Sequence, residues 1–360
     1  MFLKELQLKH FRCFAQKNIS FESPLVLIEG INGTGKTSLV EALHYLCYLR
    51  SFRTHSPREL LQAGQSTFFI KAIFNHLEQE GDQELQVGFS GAKRLVKINQ
   101  KVVCSYKELI DHYRIITLTQ DDIELIKGGP EIRRAFIDQV ILLYDPEFIA
   151  KIRLVRQIAD NRNRMLQGNS FSKDLYAVLT EQLWAASQEV QFIRASAIDR
   201  LAQETKAMLS VYFDDQVHIS LDYKPKMVDL GGSCQQFIDA NPQLMSQEQR
   251  YGRSLFGAHL DDFSINFEHK RSKSYASRGQ QKLIIILLKI AQMRELLVKK
   301  GAAVFLLDDF LTDFDEGRAQ TILASLADLK GQLIFTAPAR SDFLEGALGR
   351  MGAQKLILTH

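Results

Sequence analysis

The chain is 360 residues long, 46% hydrophobic and 24% charged, with a formal charge of +3. That length exceeds one typical domain, and the composition is that of an ordinary soluble globular protein. So small a positive excess does not announce a nucleic-acid partner, though it leaves room for a local basic patch. Cys13, Cys47, Cys104 and Cys234 lie far apart with no C-x-x-C pair, which fits reduced thiols rather than zinc or a disulfide framework. With no run of about 18 apolar residues and no basic-then-apolar leader, a soluble cytoplasmic protein with no membrane association is expected.

Residues 1–122 read as strand-rich. Leu3, Leu6 and Leu8 lead to Phe11-Arg12-Cys13-Phe14. Behind Pro24, Leu25-Val26-Leu27-Ile28 is a short apolar run of the kind that makes a buried parallel strand. It leads into Gly30-Ile31-Asn32-Gly33-Thr34-Gly35-Lys36-Thr37, then Ser38, the G-x-x-x-x-G-K-[ST] spacing of a phosphate-binding loop. Leu39, Leu43, Leu46 and Leu49 follow at helical spacing, so the loop has the strand and the helix that the motif requires. Gly30, Gly33 and Gly35 permit a tight curl that points successive N–H groups at a triphosphate, and the helix start adds partial positive charge. Lys36 is expected to bridge the β- and γ-phosphates and the Thr37 hydroxyl to ligate Mg²⁺. Arg50, Arg53 and Arg58 come next. They read either as a solvated, dipole-favourable helix end or as contacts to a nucleic-acid backbone. Strand candidates follow at 68–74, 84–89 and 94–98, the last turning at Asn99-Gln100 into Val102-Val103. A further strand at 114–118 ends in Thr119-Gln120-Asp121-Asp122.

From residue 123 the character changes. Gly128-Gly129-Pro130 breaks the chain, and a helical pattern starts at Glu131. Leu175, Leu179, Leu183, Ala186, Val190, Ile193, Ala197 and Leu201 recur at steps of three and four, one sustained apolar stripe. Such a helix belongs to a bundle core or to a short antiparallel arm. Residues 216–255 hold two strand-like pieces and a Gly231-Gly232 turn.

From residue 256 the chemistry returns. Ser277-Arg278-Gly279-Gln280-Gln281-Lys282 precedes an apolar helix over 283–297, and a small-residue turn at a helix start is again an anion site. Ala302-Ala303-Val304-Phe305-Leu306-Leu307 then reads as a buried strand ending in Asp308-Asp309. Beside a phosphate loop, that is the Walker B pattern. Asp308 is expected to hold Mg²⁺ directly or through water, and Asp309 to orient the attacking water. Thr312-Asp313-Phe314-Asp315, a helix and a strand at 332–336 complete the chain.

This order resembles the ABC-type ATPase heads that include SMC and Rad50 proteins. Within that class the chain resembles the RecF family over nearly its whole length. The resemblance rests on Leu8-Lys9-His10-Phe11-Arg12, the loop from Gly30 to Ser38, Arg50-Ser51-Phe52-Arg53-Thr54 and Ile98-Asn99-Gln100. It continues through Lys127-Gly128-Gly129-Pro130, Arg133-Arg134-Ala135-Phe136-Ile137-Asp138 and Gly257-Ala258-His259-Leu260-Asp261-Asp262. Ser277 to Lys282 and Leu306-Leu307-Asp308-Asp309 complete it. The family usually reads Gly-Pro-His-Arg-Asp-Asp where Ala258 and Leu260 stand, and Ser-Glu-Leu-Asp where Thr312 to Asp315 stand, so only Asp315 carries over there. Gln120 sits where a Q-loop glutamine could lie, and no switch histidine follows the strand at 332–336.

The resemblance implies an α/β fold: an ABC-type ATPase head with a P-loop and mixed sheet, formed by 1–122 and 256–360, with a mainly helical lobe or arm inserted at 123–255. It implies that Ser277, Gly279 and Gln280 of one head cap the ATP held by Ile31, Asn32, Thr34 and the rest of the loop in another, so that ATP drives a homodimer. It further implies DNA binding at gaps and single-strand/double-strand junctions, slow hydrolysis, and action with RecR and RecO ahead of RecA loading. An ABC transporter subunit and a short SMC- or Rad50-like structural ATPase are the alternatives. The missing switch histidine argues against the first. The brevity of the insertion and the lack of a C-x-x-C hook argue against the second.

Overall fold

A computed structural model describes all residues except 76–80, 92, 104, 169–170, 214–216, 228–231, 302, 312–313, 340 and 360. Cys104, Gly231, Ala302, Thr312 and Asp313, named above, therefore lie outside the described residues. The chain runs β1 (Phe2–Phe11), β2 (Phe14–Ser20), β3 (Leu25–Gly30), α1 (Lys36–Tyr48), β4 (Thr67–Asn75), β5 (Asp82–Ser90), β6 (Lys93–Ile98), β7 (Lys101–Val102), α2 (Tyr106–His112) and β8 (Ile115–Leu118). It continues through α3 (Glu124–Lys127), α4 (Pro130–Leu142), α5 (Phe148–Gln167), α6 (Lys173–Tyr212), β9 (Ile219–Lys224), α7 (Cys234–Ala240) and α8 (Leu244–Tyr251). Then come β10 (Asp262–Phe267), β11 (Lys270–Arg271), α9 (Ser272–Tyr275), α10 (Arg278–Lys300), β12 (Val304–Asp308), α11 (Glu316–Ala327), β13 (Gln332–Pro338), α12 (Asp342–Arg350) and β14 (Gln354–Ile357).

The chain divides into two compact units. Met1–Asp122, Ser210–Phe213 and Lys282–His360 form the first, and Ile123–Leu209 with Asp214–Gln281 the second. The first crossing, after Asp122, is where the sequence pattern changes. The second crossing differs from the expectation. Residues 256–281 group with the second unit because β10 pairs antiparallel with β9 from Asp262↔Lys224 to Phe267↔Ile219. The Ser277–Gly279 turn goes with them.

In the first unit a parallel sheet runs in the order β14-β3-β13-β12-β8. Every residue of β3 and β12 is buried, which is why both read as unbroken apolar runs rather than alternations. The register sets Asp308 opposite Thr336, and Pro338 opposite Gly30, so these strand ends share the carboxyl edge of the sheet. That edge is where open α/β sheets take their ligands. The other sheet is antiparallel, β2-β1-β4-β5-β6-β7. Phe68, Ile70, Ala72 and Phe74 of β4 are buried in strict alternation. In β1 the buried leucines are 3, 6 and 8, out of phase by one, because a register shift between Leu3 and Glu5 turns the strand over. The buried Gln332 amide makes good the local ladder: its Oε1 accepts from Leu3 N at 2.7 Å and its Nε2 donates to Leu3 O at 3.0 Å. At the β6–β7 hairpin Asn99 and Gln100 both take positive φ, 48° and 67°, as a two-residue type I′ turn requires.

The second unit holds the small sheet β11-β10-β9 with the helices from α3 to α9. Its α6 is 40 residues long, about 60 Å of helix. The buried face of α6 is only partly the stripe read from sequence. Leu175 is 47% exposed, and the buried line passes through Tyr176, Thr180, Ser187, Gln191, Arg194 and Thr205 as well as Leu183, Val190, Ala197 and Leu201. Polar residues sit inside because each finds a partner. Arg162, fully buried, makes a two-pronged ion pair with Glu248 (2.9 and 2.8 Å) and donates to Thr180 Oγ1 and Ser254 Oγ. The guanidinium also packs on the rings of Tyr176 and Phe256. Arg194 pairs with Asp138 (2.8 and 3.0 Å) and donates to Ala258 O. Removing one partner of a buried pair leaves the other charge stranded, so Arg162→Met should cost about 3–5 kcal/mol of stability. Urea unfolding measures it, and a loss below about 1 kcal/mol would contradict this account of α6.

Candidate functional site

Strand β3 delivers the chain to the loop at Gly30, and α1 receives it at Lys36. The loop needs its glycines for separate reasons. Gly33 and Gly35 have φ of 90° and 97°. Gly30 has no room for a side chain, since a Cβ there would lie 2.5 Å from Thr34 Oγ1 and 2.9 Å from Leu358 O. Thr34 closes the turn by donating from its hydroxyl to Ile31 O at 2.9 Å. Ile31, Asn32 and Gly33 are exposed at the tip. No side chain caps the start of α1, and no carboxylate stands in its first turn. The leading N–H groups of the helix, at Lys36, Thr37 and Ser38, are thus left for a ligand, and the ligand they favour is an anion.

Lys36 is only 5% exposed. Its Nζ donates to Gly30 O at 2.9 Å and stands 3.8 Å from Asp309 Oδ2. Asp308, at the end of β12, is buried, and burial pushes its carboxyl pKa up against hydrogen bonds from Thr336 and Thr37. Thr336 Oγ1 donates to Asp308 Oδ1 at 2.8 Å and accepts from Asp309 N at 2.9 Å. This hydroxyl fixes both carboxylate-bearing residues against β13, and Asp309 itself takes a left-handed backbone with φ 47°. Gln120, just past β8, donates from Nε2 to Asp309 O at 2.8 Å and accepts on Oε1 from Lys282 Nζ at 2.8 Å.

The first unit thus brings together the loop from Gly30 to Ser38, Asp308, Asp309 and Gln120. Ser277, Gly279 and Gln280 belong to the second unit. There Ser277 Oγ accepts from Gln280 N at 3.3 Å, while Gln280 Oε1 accepts from Ser277 N at 2.8 Å. This reciprocal pair is a capping box that starts α10, and Ser277 stays exposed. Asp315 likewise caps α11 through Arg318 N. The arginines after α1 are structural in part. Arg53 approaches Glu41 at 3.4 Å, and the same fully buried carboxylate takes Arg12 through two bonds and Ser51 through a third. Arg58 donates to Gly91 O.

Thr336 and Lys282 are the functional-site residues that sequence reasoning missed. A threonine ending an apolar strand was the visible signal for Thr336, but its meaning depends on β13 lying between β3 and β12. Among the described residues no three His, Cys, Asp or Glu side chains cluster as a metal site. Magnesium does not require such a cluster, since it is held by one or two protein oxygens together with phosphates and waters. The adjacent Thr37 hydroxyl and Asp308 carboxylate fit that demand.

The family model described as RecF/RecN/SMC N-terminal domain matches residues 2–354. The DNA replication and repair protein RecF of Halalkalibacterium halodurans is 29% identical over 342 residues, covering 91% of this chain and 90% of that protein. That of Chloroherpeton thalassium is 30% identical over 333 residues, covering 89% and 90%. Among solved structures, that of the recombination mediator protein RecF with ATP, of the RecFOR pathway, superimposes with a TM-score of 0.83 at 24% identity, covering 95% of this chain and 94% of that one. The Smc head domain of Pyrococcus furiosus superimposes with a TM-score of 0.57 at 14% identity, covering 96% and 91%.

Three mutational outcomes follow from this geometry. Lys36→Ala should weaken ATP binding by at least about tenfold in calorimetric titration, whereas Asp309→Asn should bind ATP normally and fail to hydrolyse it. An Asp309→Asn protein with normal turnover would mean that another group orients the water. Thr336→Val, which keeps the shape and removes the clip, should lower kcat by about tenfold to a hundredfold with ATP affinity little changed. Unchanged kcat would show that the hydroxyl is only a core hydrogen bond.

Proposed function

The chain belongs to the RecF family of DNA replication and repair proteins, within the wider RecF/RecN/SMC group, and from that premise we propose that it is an ATP-switched DNA clamp. Its fold is that of the ATP-binding ATPases of this group. The observation that carries the proposal is the convergence of Lys36, Thr37, Asp308, Asp309 and Gln120 on the carboxyl edge of one parallel sheet.

Each residue has a task in that reading. The loop N–H groups and Lys36 hold the phosphates, and Lys36 exchanges the Gly30 carbonyl for phosphate oxygen. Thr37 and Asp308 would hold a magnesium ion, which would neutralise phosphate charge. Asp309 orients the attacking water, and Gln120 steadies the Asp309 backbone. Ser277 and Gly279 of a second copy close over the nucleotide, so that ATP drives a homodimer and hydrolysis opens it. Two heads on one DNA then gain avidity over either alone. Slow hydrolysis suits such a switch. The setting proposed is the cytoplasm, at gaps and single-strand/double-strand junctions, with RecR and RecO as partners ahead of RecA loading.

The capping box supplies a selective test. Asp is as good an N-cap as Ser, so Ser277→Asp should leave α10 and the thermal midpoint unharmed. The added carboxylate would, however, repel a nucleotide presented by another copy. ATP-stimulated duplex binding, read by fluorescence anisotropy, should fall about a hundredfold, with ATP binding to the monomer unchanged. A variant that still clamps duplex in ATP would remove Ser277 from the mechanism.

A further inference from the structure

We infer that the second unit carries a duplex-backbone docking surface, formed by two adjoining clefts around Lys224; this rests on the DNA-clamp reading above and gives it a contact face. The first cleft, about 70 Å³, is lined by Lys224, Arg271 and Lys273 beside apolar side chains of α3 and β10 and the Arg133–Asp262 pair. The second, about 470 Å³, is lined by Lys224, Lys226 and Arg253 with Pro130, Pro225 and Leu260. Lys224 and Asp262 are common to both.

The charge balance of these walls is one-sided. Asp262 is the carboxylate among the described lining residues, and Arg133 already takes it with two bonds of 2.6 and 2.9 Å. Lys224, Lys226, Arg253, Arg271 and Lys273 remain as cations with no acid on these walls to answer them, and all are exposed. A whole-chain charge of +3 makes this local excess notable. Leu260 adds no charge where the resemblance predicts arginine, so the second cleft's cations come from β9, from the segment after it and from the chain beyond α8.

The fold holds these cations on a firm base. The register of the small sheet fixes Lys224 opposite Asp262 and Arg271 opposite Asn266. Phe263, Ile265 and Phe267 of β10 are buried beneath them. Five separated cations over two open clefts suit a repeated anion rather than one small phosphate, and a nucleic-acid backbone is such a ligand. Because the contacts are to phosphates, the surface is blind to base sequence and sensitive to salt.

The test measures duplex affinity of the full-length protein in Mg·ATP by anisotropy across a salt series. Three proteins are compared: wild type, the triple variant Lys224→Ala/Lys226→Ala/Arg253→Ala, and the double variant Arg271→Ala/Lys273→Ala. The slope of log K against log salt should flatten by about 0.9 for each phosphate contact removed, so by nearly three per docked protomer in the triple variant and nearly two per docked protomer in the double. Lys↔Arg exchanges at the same positions should restore the slope, and binding of a fluorescent ATP analogue should not change in any of them. Variants that bind duplex with the wild-type slope and affinity overturn this surface and leave the DNA-clamp reading intact. A wild-type protein that binds no duplex in ATP at low salt overturns that reading and the surface with it.

Discussion

The ammonium group of Lys36 is the point on which the functional centre depends. It is almost fully buried, and its closest partner is a backbone carbonyl, Gly30 O, with Asp309 at 3.8 Å. This buried cation thus has one neutral acceptor within hydrogen-bond distance, with the carboxylates of Asp309 and Asp308 close by. In the reading proposed above, a polyphosphate arriving at the loop would replace that carbonyl as its partner. The same position tells the loop where to curl, since Gly30, Gly33 and Gly35 must bring their backbone around the ammonium.

A second theme is the use of polar side chains to fix packing that apolar contacts leave ambiguous. Gln332 replaces the ladder bonds that the β1 register shift removes, and Thr336 fastens the two aspartates to the neighbouring strand. In the second unit Arg194 of α6 is paired with Asp138 of α4, and Arg162 of α5 meets α6 at Thr180 and the Tyr176 ring, so both fix α6 in one rotation. A purely hydrophobic helix of 40 residues could turn or slide with little penalty. Glu41 plays the same part in the first unit, joining Arg12 to the Ser51–Arg53 turn. These residues are therefore framework first, and their presence in the family-like motifs need not mean contact with ligand.

Much of this was legible in the sequence where the signal is local. The phosphate loop announces itself by spacing, the hairpin at Asn99-Gln100 by its turn residues, and β12 by an apolar run ending in acid. The rest depends on neighbours that sequence order does not reveal. The α6 stripe showed only part of the buried face, because Leu183, Val190, Ala197 and Leu201 share that face with Thr180, Ser187, Gln191 and Arg194, which an apolar period does not register. The grouping of 256–281 with the second unit depends on β9 pairing with β10 across an intervening stretch that carries α7 and α8. Thr336 acquires its role only once β13 stands beside β12. Ser277 illustrates a different limit, since its motif reading and its helix-capping role occupy the same atoms.

The first unit gathers the loop, Asp308, Asp309 and Gln120, whereas Ser277 is exposed in the second unit. In the reading proposed above, closure by a second copy would give the Ser277–Gly279 turn a use and make nucleotide the bond between two protomers. Sedimentation velocity of the wild-type protein, with and without Mg·ATP and free of DNA, tests this most directly. The account predicts a monomer that becomes a dimer when Mg·ATP is added and reverts as it is hydrolysed. A protein that binds ATP yet sediments as the same monomer at every nucleotide concentration would contradict it.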